Sequence, residues 1–168
     1  MGLGRLRFHC ALTGDPLPGL SDNRLMGLLS SQDEVILKQH LAGVSKPVTL
    51  LLFTQTFGGS ESGPVARQIL DEIASLNDKV TVVEKNFVLD TDDRVKYGVD
   101  KAPAIVPLSD GQDTRMRLYG APTGYEFVGL VEAIIVAGTG QVDLDAQTLA
   151  WLAEVDKPVH LQVFSTPT

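Results

Sequence analysis

The chain repeats itself once, and the repeat limits what it can fold into. Lys46-Pro47-Val48-Thr49-Leu50-Leu51-Leu52-Phe53 is echoed by Lys157-Pro158-Val159-His160-Leu161-Gln162-Val163-Phe164, at a constant spacing of 111 residues between equivalents such as Lys46 and Lys157. The same spacing matches Leu41, Ala42 and Val44 with Leu152, Ala153 and Val155. Solenoid and propeller units recur every ~20–50 residues, so a spacing this long marks a duplicated domain. The expected organisation is a flexible arm or upstream extension over 1–25 and a complete domain over 26–140. Residues 141–168 then hold a linker helix and the first strand of a second, truncated copy.

Charge and cysteine usage narrow the partners. The 43% hydrophobic content allows a buried core, and the net charge of −7 comes without a dense run of Lys or Arg. Duplex nucleic acid and anionic membranes both call for clustered positive charge, so neither is an expected partner. No apolar run approaches the ~20 residues of a membrane-spanning helix. Arg5 and Arg7 are followed by no apolar signal region, so the cytoplasm is the expected compartment. Cys10 is the one cysteine, which excludes a disulfide within the chain and a cysteine-built metal cage. Alone in a Gly- and Pro-rich arm, it is read as incidental.

Local patterns supply the elements. Ser31-Gln32-Asp33-Glu34 reads as a capping box ahead of Val35, Ile36, Leu37 and Leu41 on a helical stripe that Gly43 ends. Val48 to Phe53 is almost continuously apolar, the pattern of a central strand covered on both faces. A Gly- and Ser-rich loop then leads to Pro64 in a helix first turn, with Ser62 as its cap. Val65, Ile69, Leu70, Ile73 and Leu76 carry that helix to Asn77. Val80 to Glu84 reads as a second strand, and a strand–helix–strand unit this compact is a right-handed parallel crossover. Asp90 to Asp93 opens a short helix closed by Gly98, where carboxylates complement the helix dipole better than they suit a metal.

Ala102 to Leu108, the Ser109-Asp110-Gly111-Gln112 turn and Arg115 to Tyr119 read as a hairpin whose second strand is an edge. Phe127, Leu130, Val131, Ile134 and Ile135 mark the last helix of the domain, closed by Gly138-Thr139-Gly140. A linker helix from Asp143 follows through Leu149, Trp151 and Leu152, with Trp151 in its core. The order β-α-β, short α, β-hairpin, α is an α/β arrangement with a thioredoxin-like fold, followed by the truncated start of a second thioredoxin-like unit.

In that plan the reactive loop joins the first central strand to a helix. The positive end of the helix dipole lowers a cysteine's pKa, and the thiolate is the nucleophile. Here the corresponding positions are Gly58 and Glu61, a vestigial active-site loop. Ser60 and Ser62 cannot substitute without a positioned base. The loop lacks a P-loop Lys and carries the negative Glu61, so helix capping is favoured over phosphate binding. No catalytic residue, metal site or cofactor is expected, and His40 and His160 have no companions at ligand spacing. Only X-Pro bonds adopt cis at low cost, and a cis-proline loop at Ala102-Pro103 would leave backbone groups free to pair with a peptide. A trans proline opening an edge strand is the alternative.

Phe164-Ser165-Thr166-Pro167-Thr168 resembles the strand end that precedes the Cys-Pro-x-Cys motif of glutaredoxin-like protein disulfide oxidoreductases, which are tandem pairs of thioredoxin folds. Tyr97 to Ile105 resembles their approach to the cis-proline loop, and Tyr119 to Phe127 the turn and helix start that follow. That turn is also similar to one in the N-terminal domain of the flavin subunit of alkyl hydroperoxide reductase, where the first of two thioredoxin folds likewise lacks cysteines. The likeness spans residues 31–168.

The resemblance implies the redox-inactive N-terminal domain of a thiol–disulfide oxidoreductase whose catalytic Cys-x-x-Cys lies just past Thr168. Its implied partners are protein thiols or disulfides, reached through the parent protein, and the C-terminal catalytic half. Ala102 and Pro103 would form the peptide-contacting loop. Two alternatives stand beside it: a non-enzymatic thioredoxin-like interaction module, and the N-terminal domain of a flavin-dependent alkyl hydroperoxide reductase-type disulfide reductase.

Overall fold

The apolar run Val48–Thr54 forms β1, and the sheet is built around it. A computed structural model describes residues 28–55 and 59–165; the expected arm, Cys10 and Gly58 lie outside these described residues. β1 pairs in parallel with β2 (Val80–Asn86) and antiparallel with β3 (Ala104–Ser109), so both its edges are occupied. β4 (Gln112–Asp113) and β5 (Leu118–Tyr119) both pair antiparallel with β3, giving the order β2-β1-β3-β4. The helices are α1 (Ser31–Leu41), α2 (Ser62–Ser75), α3 (Thr91–Lys96), α4 (Tyr125–Thr139) and α5 (Ala146–Ala153). This is the mixed α/β thioredoxin-like arrangement expected for the first unit.

Because successive strand residues point to opposite faces, β1 feeds two cores. Val48, Leu50 and Leu52 pack with Leu37 and Leu41 of α1, Ile69 and Ile73 of α2, and Leu130 and Ile134 of α4. Leu51 and Phe53 meet Tyr97, Val99, Val106 and Leu108 on the other face, with Phe87 packed against them. Full burial of one such aliphatic side chain stabilises by roughly 1.5–3 kcal/mol. The larger core is therefore the main anchor of the fold.

Several expected boundaries shift. The cap of α1 is Ser30, whose Oγ accepts from the Asp33 N–H at 3.2 Å, and not Ser31. The hydroxyl of Ser30 also donates to Asp33 Oδ2, a side-chain contact and not the bond to the cap's backbone N–H that a capping box makes. Val35 leaves the buried stripe and points to solvent. At α2, the cap position is Glu61, which makes no side-chain capping bond, while Ser62 is already helical and shares a hydroxyl–hydroxyl contact with Ser60. α5 starts later than Asp143: Asp145 is its cap, accepting from the Thr148 N–H at 2.8 Å.

The second hairpin strand is broken in two. Between β4 and β5 the register against β3 slips by two residues, from Leu108↔Asp113 to Ile105↔Leu118. Proline has no N–H to offer a ladder, and Pro107 of β3 lies opposite the break. There the Thr114 hydroxyl donates to the Pro107 carbonyl at 2.6 Å, and Arg115 takes a positive φ of 66°. The Asp110-Gly111 turn itself has positive φ at both residues, as a tight two-residue hairpin turn of the primed type needs.

The repeat segment departs most. α5 leaves Trp151 61% exposed, where the linker-helix pattern puts it in a core. Residues 157–165 form no strand, and Leu161 and Val163 stand in solvent. A strand is stable only with a ladder partner and a face to bury, and no described strand pairs with this segment. Among the described residues, no helix is long and apolar enough to cross a membrane.

Candidate functional site

The C-terminal end of β1 gathers the segments that the sequence singles out. The Phe87 N–H donates to the Thr54 carbonyl at 2.7 Å, tying the loop after β2 to the end of β1. Phe53 faces Ala104 across the β1–β3 ladder, which brings Ala102-Pro103 to the same end. The Gly120 N–H donates to the Pro103 carbonyl at 3.0 Å and adds the turn before α4. Chain topology alone thus assembles the end of β1 at Thr54 and Gln55, the 87–89 loop, Ala102-Pro103 and the 120–124 turn on one end face.

The Ala102–Pro103 peptide is cis. Pro103 is buried and Ala102 half-buried. Proline lacks an N–H and its carbonyl is taken by Gly120, so the pairing groups left at this loop belong to Ala102. Among the described residues, neither its N–H nor its C=O makes a backbone hydrogen bond. Exposed apolar side chains surround this end: Val88, Leu89, Tyr119 and Tyr125. Tyr119 has its phenol pushed above the usual tyrosine range, first by desolvation and then by a hydrogen bond to Asp100. It is therefore a neutral donor at physiological pH.

The loop ahead of α2 carries no thiol: Gln55 to Ser62 holds Gly59, Ser60, Glu61 and Ser62 in the described part, with Gly58 outside it. Gly59 is required by space, because a Cβ there would run into the carbonyl oxygen of Gln55. Glu61 is exposed and unpaired by any salt bridge among the described residues. Behind the loop, the Thr54 hydroxyl and the Arg67 guanidinium donate to the two oxygens of Glu84, each at 2.7 Å. Arg67 Nε also reaches Asp71 at 2.7 Å. This network fastens α2 to the ends of β1 and β2 and holds the loop's two anchors in place. The Glu84 contribution is not legible in the sequence, since a strand-end carboxylate has no distinctive spacing.

His40 and His160 sit in different settings, half-buried on α1 and exposed beyond α5. Among the described residues no group of three His, Cys, Asp or Glu could hold a metal ion. A shallow cleft lined by Phe87, Arg94, Val95 and Asp100 adjoins α3, with the Arg94 guanidinium 5.0 Å from the Phe87 ring centroid.

A cis-proline loop beside the end of a central strand, with a helix beginning after that strand, defines a thioredoxin-like domain. Among known proteins the chain is similar to the F subunit of alkyl hydroperoxide reductase of Escherichia coli, with 30% identity over 122 residues that make up 73% of this chain and 21% of that protein. A solved structure of the corresponding alkyl hydroperoxide reductase protein from Enterococcus faecalis matches with a TM-score of 0.65 and 28% identity, covering 71% of this chain and 57% of that one. A protein disulfide oxidoreductase from Aeropyrum pernix shares the fold with a TM-score of 0.64 at 21% identity, covering 74% and 54%. The chain thus spans about a fifth of its curated relative and just over half of these solved chains. No protein-family model matches it.

Proposed function

We propose that this chain is the redox-inactive, partner-binding unit of a two-unit thioredoxin-like module serving thiol–disulfide exchange, with the sulfur chemistry supplied by a second unit that follows residues 157–165. The observation that carries this reading is the mismatch at the end face. Among the described residues Ala102 makes no backbone hydrogen bond beside the cis proline, in an apolar surround, while the sequence between β1 and α2 has Gly58 and Glu61 where the chemistry would need cysteines. An extended peptide paired to Ala102 would be bound and not reduced, because a dithiol is needed to attack a disulfide and then resolve the mixed disulfide.

The identity to the alkyl hydroperoxide reductase proteins favours a peroxide-reducing disulfide relay over a free-standing protein disulfide oxidoreductase. In this reading protein thiols or disulfides are the partners, the reducing cytoplasm is the setting, and Ala102 with Pro103 forms the contact loop. The test is an insulin-reduction assay with dithiothreitol on the purified chain. No turnover above the reagent blank is expected; turnover above it would overturn the redox-inactive assignment.

A further inference from the structure

The short α3 segment is fastened to the end of β2, and the cation it carries is left without a carboxylate. The Lys85 ammonium meets Asp93 at 2.7 Å, and the Asn86 N–H donates to Asp90 Oδ2 at 2.6 Å. Arg94, the next residue along α3, lays its guanidinium 5.0 Å from the centroid of the Phe87 ring. That ring is fixed in turn, since Phe87 packs against the Leu51, Phe53 and Tyr97 core and donates its N–H to the Thr54 carbonyl.

Among the described residues Arg94 makes no ion pair. Asp90 and Asp93 are engaged as above, and Asp100 bonds to the Tyr119 phenol. Asp92 stands two positions back on the helix, and residues so spaced do not face each other. A guanidinium stacked on an aromatic ring keeps its N–H groups pointing outward in its own plane, the fork that a carboxylate engages at two points. The flanking Val88, Leu89 and Val95 are 53%, 78% and 75% exposed, so the cation sits in an apolar rim.

The cleft between Phe87, Arg94, Val95 and Asp100 has a volume of about 480 Å³ and is open to solvent. It therefore suits the side chains of a segment lying across it better than an enclosed small molecule. Asp100 lines this cleft two residues before Ala102, a span of at most about 7 Å of chain.

We propose that Arg94 selects the partner at the end face. It binds the side-chain carboxylate of an acidic residue about two positions from the one paired with Ala102, while aliphatic neighbours of that residue cover Val88, Leu89 and Val95. The partner is an extended peptide segment in which Asp or Glu stands among apolar residues. With a net charge of −7, the rest of the chain repels such a segment, so an unpaired arginine in the cleft fixes its register as well as its affinity. The inference rests on the peptide-binding reading of Ala102-Pro103 above and adds to it the chemistry of the partner.

A phage-displayed library of random heptapeptides, panned on the purified chain, tests it. Selected peptides are expected to carry Asp or Glu between aliphatic residues. Exchanging that acid for its amide in the tightest peptide should weaken binding about tenfold, read by fluorescence anisotropy. On the Arg94→Gln chain the acidic peptide and its amide counterpart should bind alike, and Arg94→Lys, which keeps the charge without the fork, should restore only part of the difference. Lys79→Gln removes an exposed cation at the opposite end of β2 and should keep the difference in full. Peptides selected without acidic preference, or an Arg94→Gln chain that still separates the two, would overturn the role of Arg94 and leave the peptide-binding reading standing. Selection of no peptide at all would overturn that reading and this inference together.

Discussion

Gly138 lies inside α4 with its α-carbon pressed against Val44: a Cβ built on it would stand 2.6 Å from Val44 Cγ1 and 3.1 Å from Val44 Cβ. The Gly138 carbonyl at the same point accepts from the N–H groups of Ser45 and Lys46 at 3.1 and 3.0 Å. This contact clamps the chain entering β1 to the end of the last helix of the unit. The sequence pattern makes Gly138 part of a helix stop, whereas the stop is Gly140, which takes the left-handed φ of 71°.

Gly138→Ala is expected to lower stability. The clash with Val44 costs about 1–3 kcal/mol by analogy with overpacked cores, and the helix propensity of Ala returns about 1 kcal/mol. A net loss of up to about 2 kcal/mol should appear in urea unfolding. Val44→Ala removes both clashing methyls, so the double variant should fall by less than the sum of the singles.

The Glu72 carboxylate accepts from the N–H groups of Leu28 and Leu29 at 2.8 and 2.9 Å and from the Gln68 amide at 3.0 Å. Glu72→Ala leaves two backbone donors without their acceptor and should cost about 1–2 kcal/mol. Glu72→Gln, which keeps one acceptor oxygen, should fall between. Denaturation midpoints rank the three, and hydrogen exchange should show the amides of Leu28 and Leu29 opening first in the Ala variant.

Asp113 and Arg117 form a two-point ion pair, at 2.8 and 2.7 Å, and Arg117 Nε donates to the Tyr97 carbonyl at 2.7 Å. The Arg117 hydrogen bonds hold the Asp113 carboxyl below its ordinary value of 3.8. A carboxylate with a depressed folded pKa stabilises above its unfolded pKa and loses that contribution as pH falls through the folded value. The pair is partly solvated, so the contribution is about 1 kcal/mol at most. Asp113→Asn should therefore remove part of the loss of stability seen on acidification from just above 3.8 downward. Thermal melts of both proteins across that range measure it, with convergence at the acid end as the expected pattern.

Gly58→Cys with Glu61→Cys would place a dithiol at Cys-x-x-Cys spacing in the loop ahead of α2. The helix start of α2 favours a thiolate there, so the double variant should reduce insulin with dithiothreitol above the blank. Either single variant should not, because resolution of the mixed disulfide needs the second thiol. Failure of the double variant in a folded protein would remove the vestigial-site reading of 58–61.

Much of the first unit is legible in the sequence because its signals are local and strong. The unbroken apolar run at Val48–Phe53 identifies a doubly covered strand, and the Asp110-Gly111 pair identifies the turn. The departures come where tertiary geometry outweighs pattern. Arg115 to Tyr119 alternates like one strand, but Pro107 across the sheet cannot donate to it, and the partner breaks at that point. Ser30 and Ser31 are equally good caps by type, and only the path of the chain into α1 selects Ser30. At the end face, the two-residue signature Ala102-Pro103 is visible in sequence, but the surround of Val88, Leu89 and Tyr125 depends on which loops the topology brings together. Residues 157–164 read as a strand because their composition is that of β1; composition states a preference, and only a partner sheet can satisfy it.

The interruption opposite Pro107 bears on how these molecules behave when crowded. Open strand edges invite neighbouring chains to extend the sheet without limit. On the β4–β5 side the rim is cut into two-residue pieces, with a proline behind the gap and Arg115 twisted out of the strand conformation, so a stranger's backbone has no run to zip onto. That side of the protein is blunted against fibrous association, and β2 is the one flank among the described residues where such growth could begin.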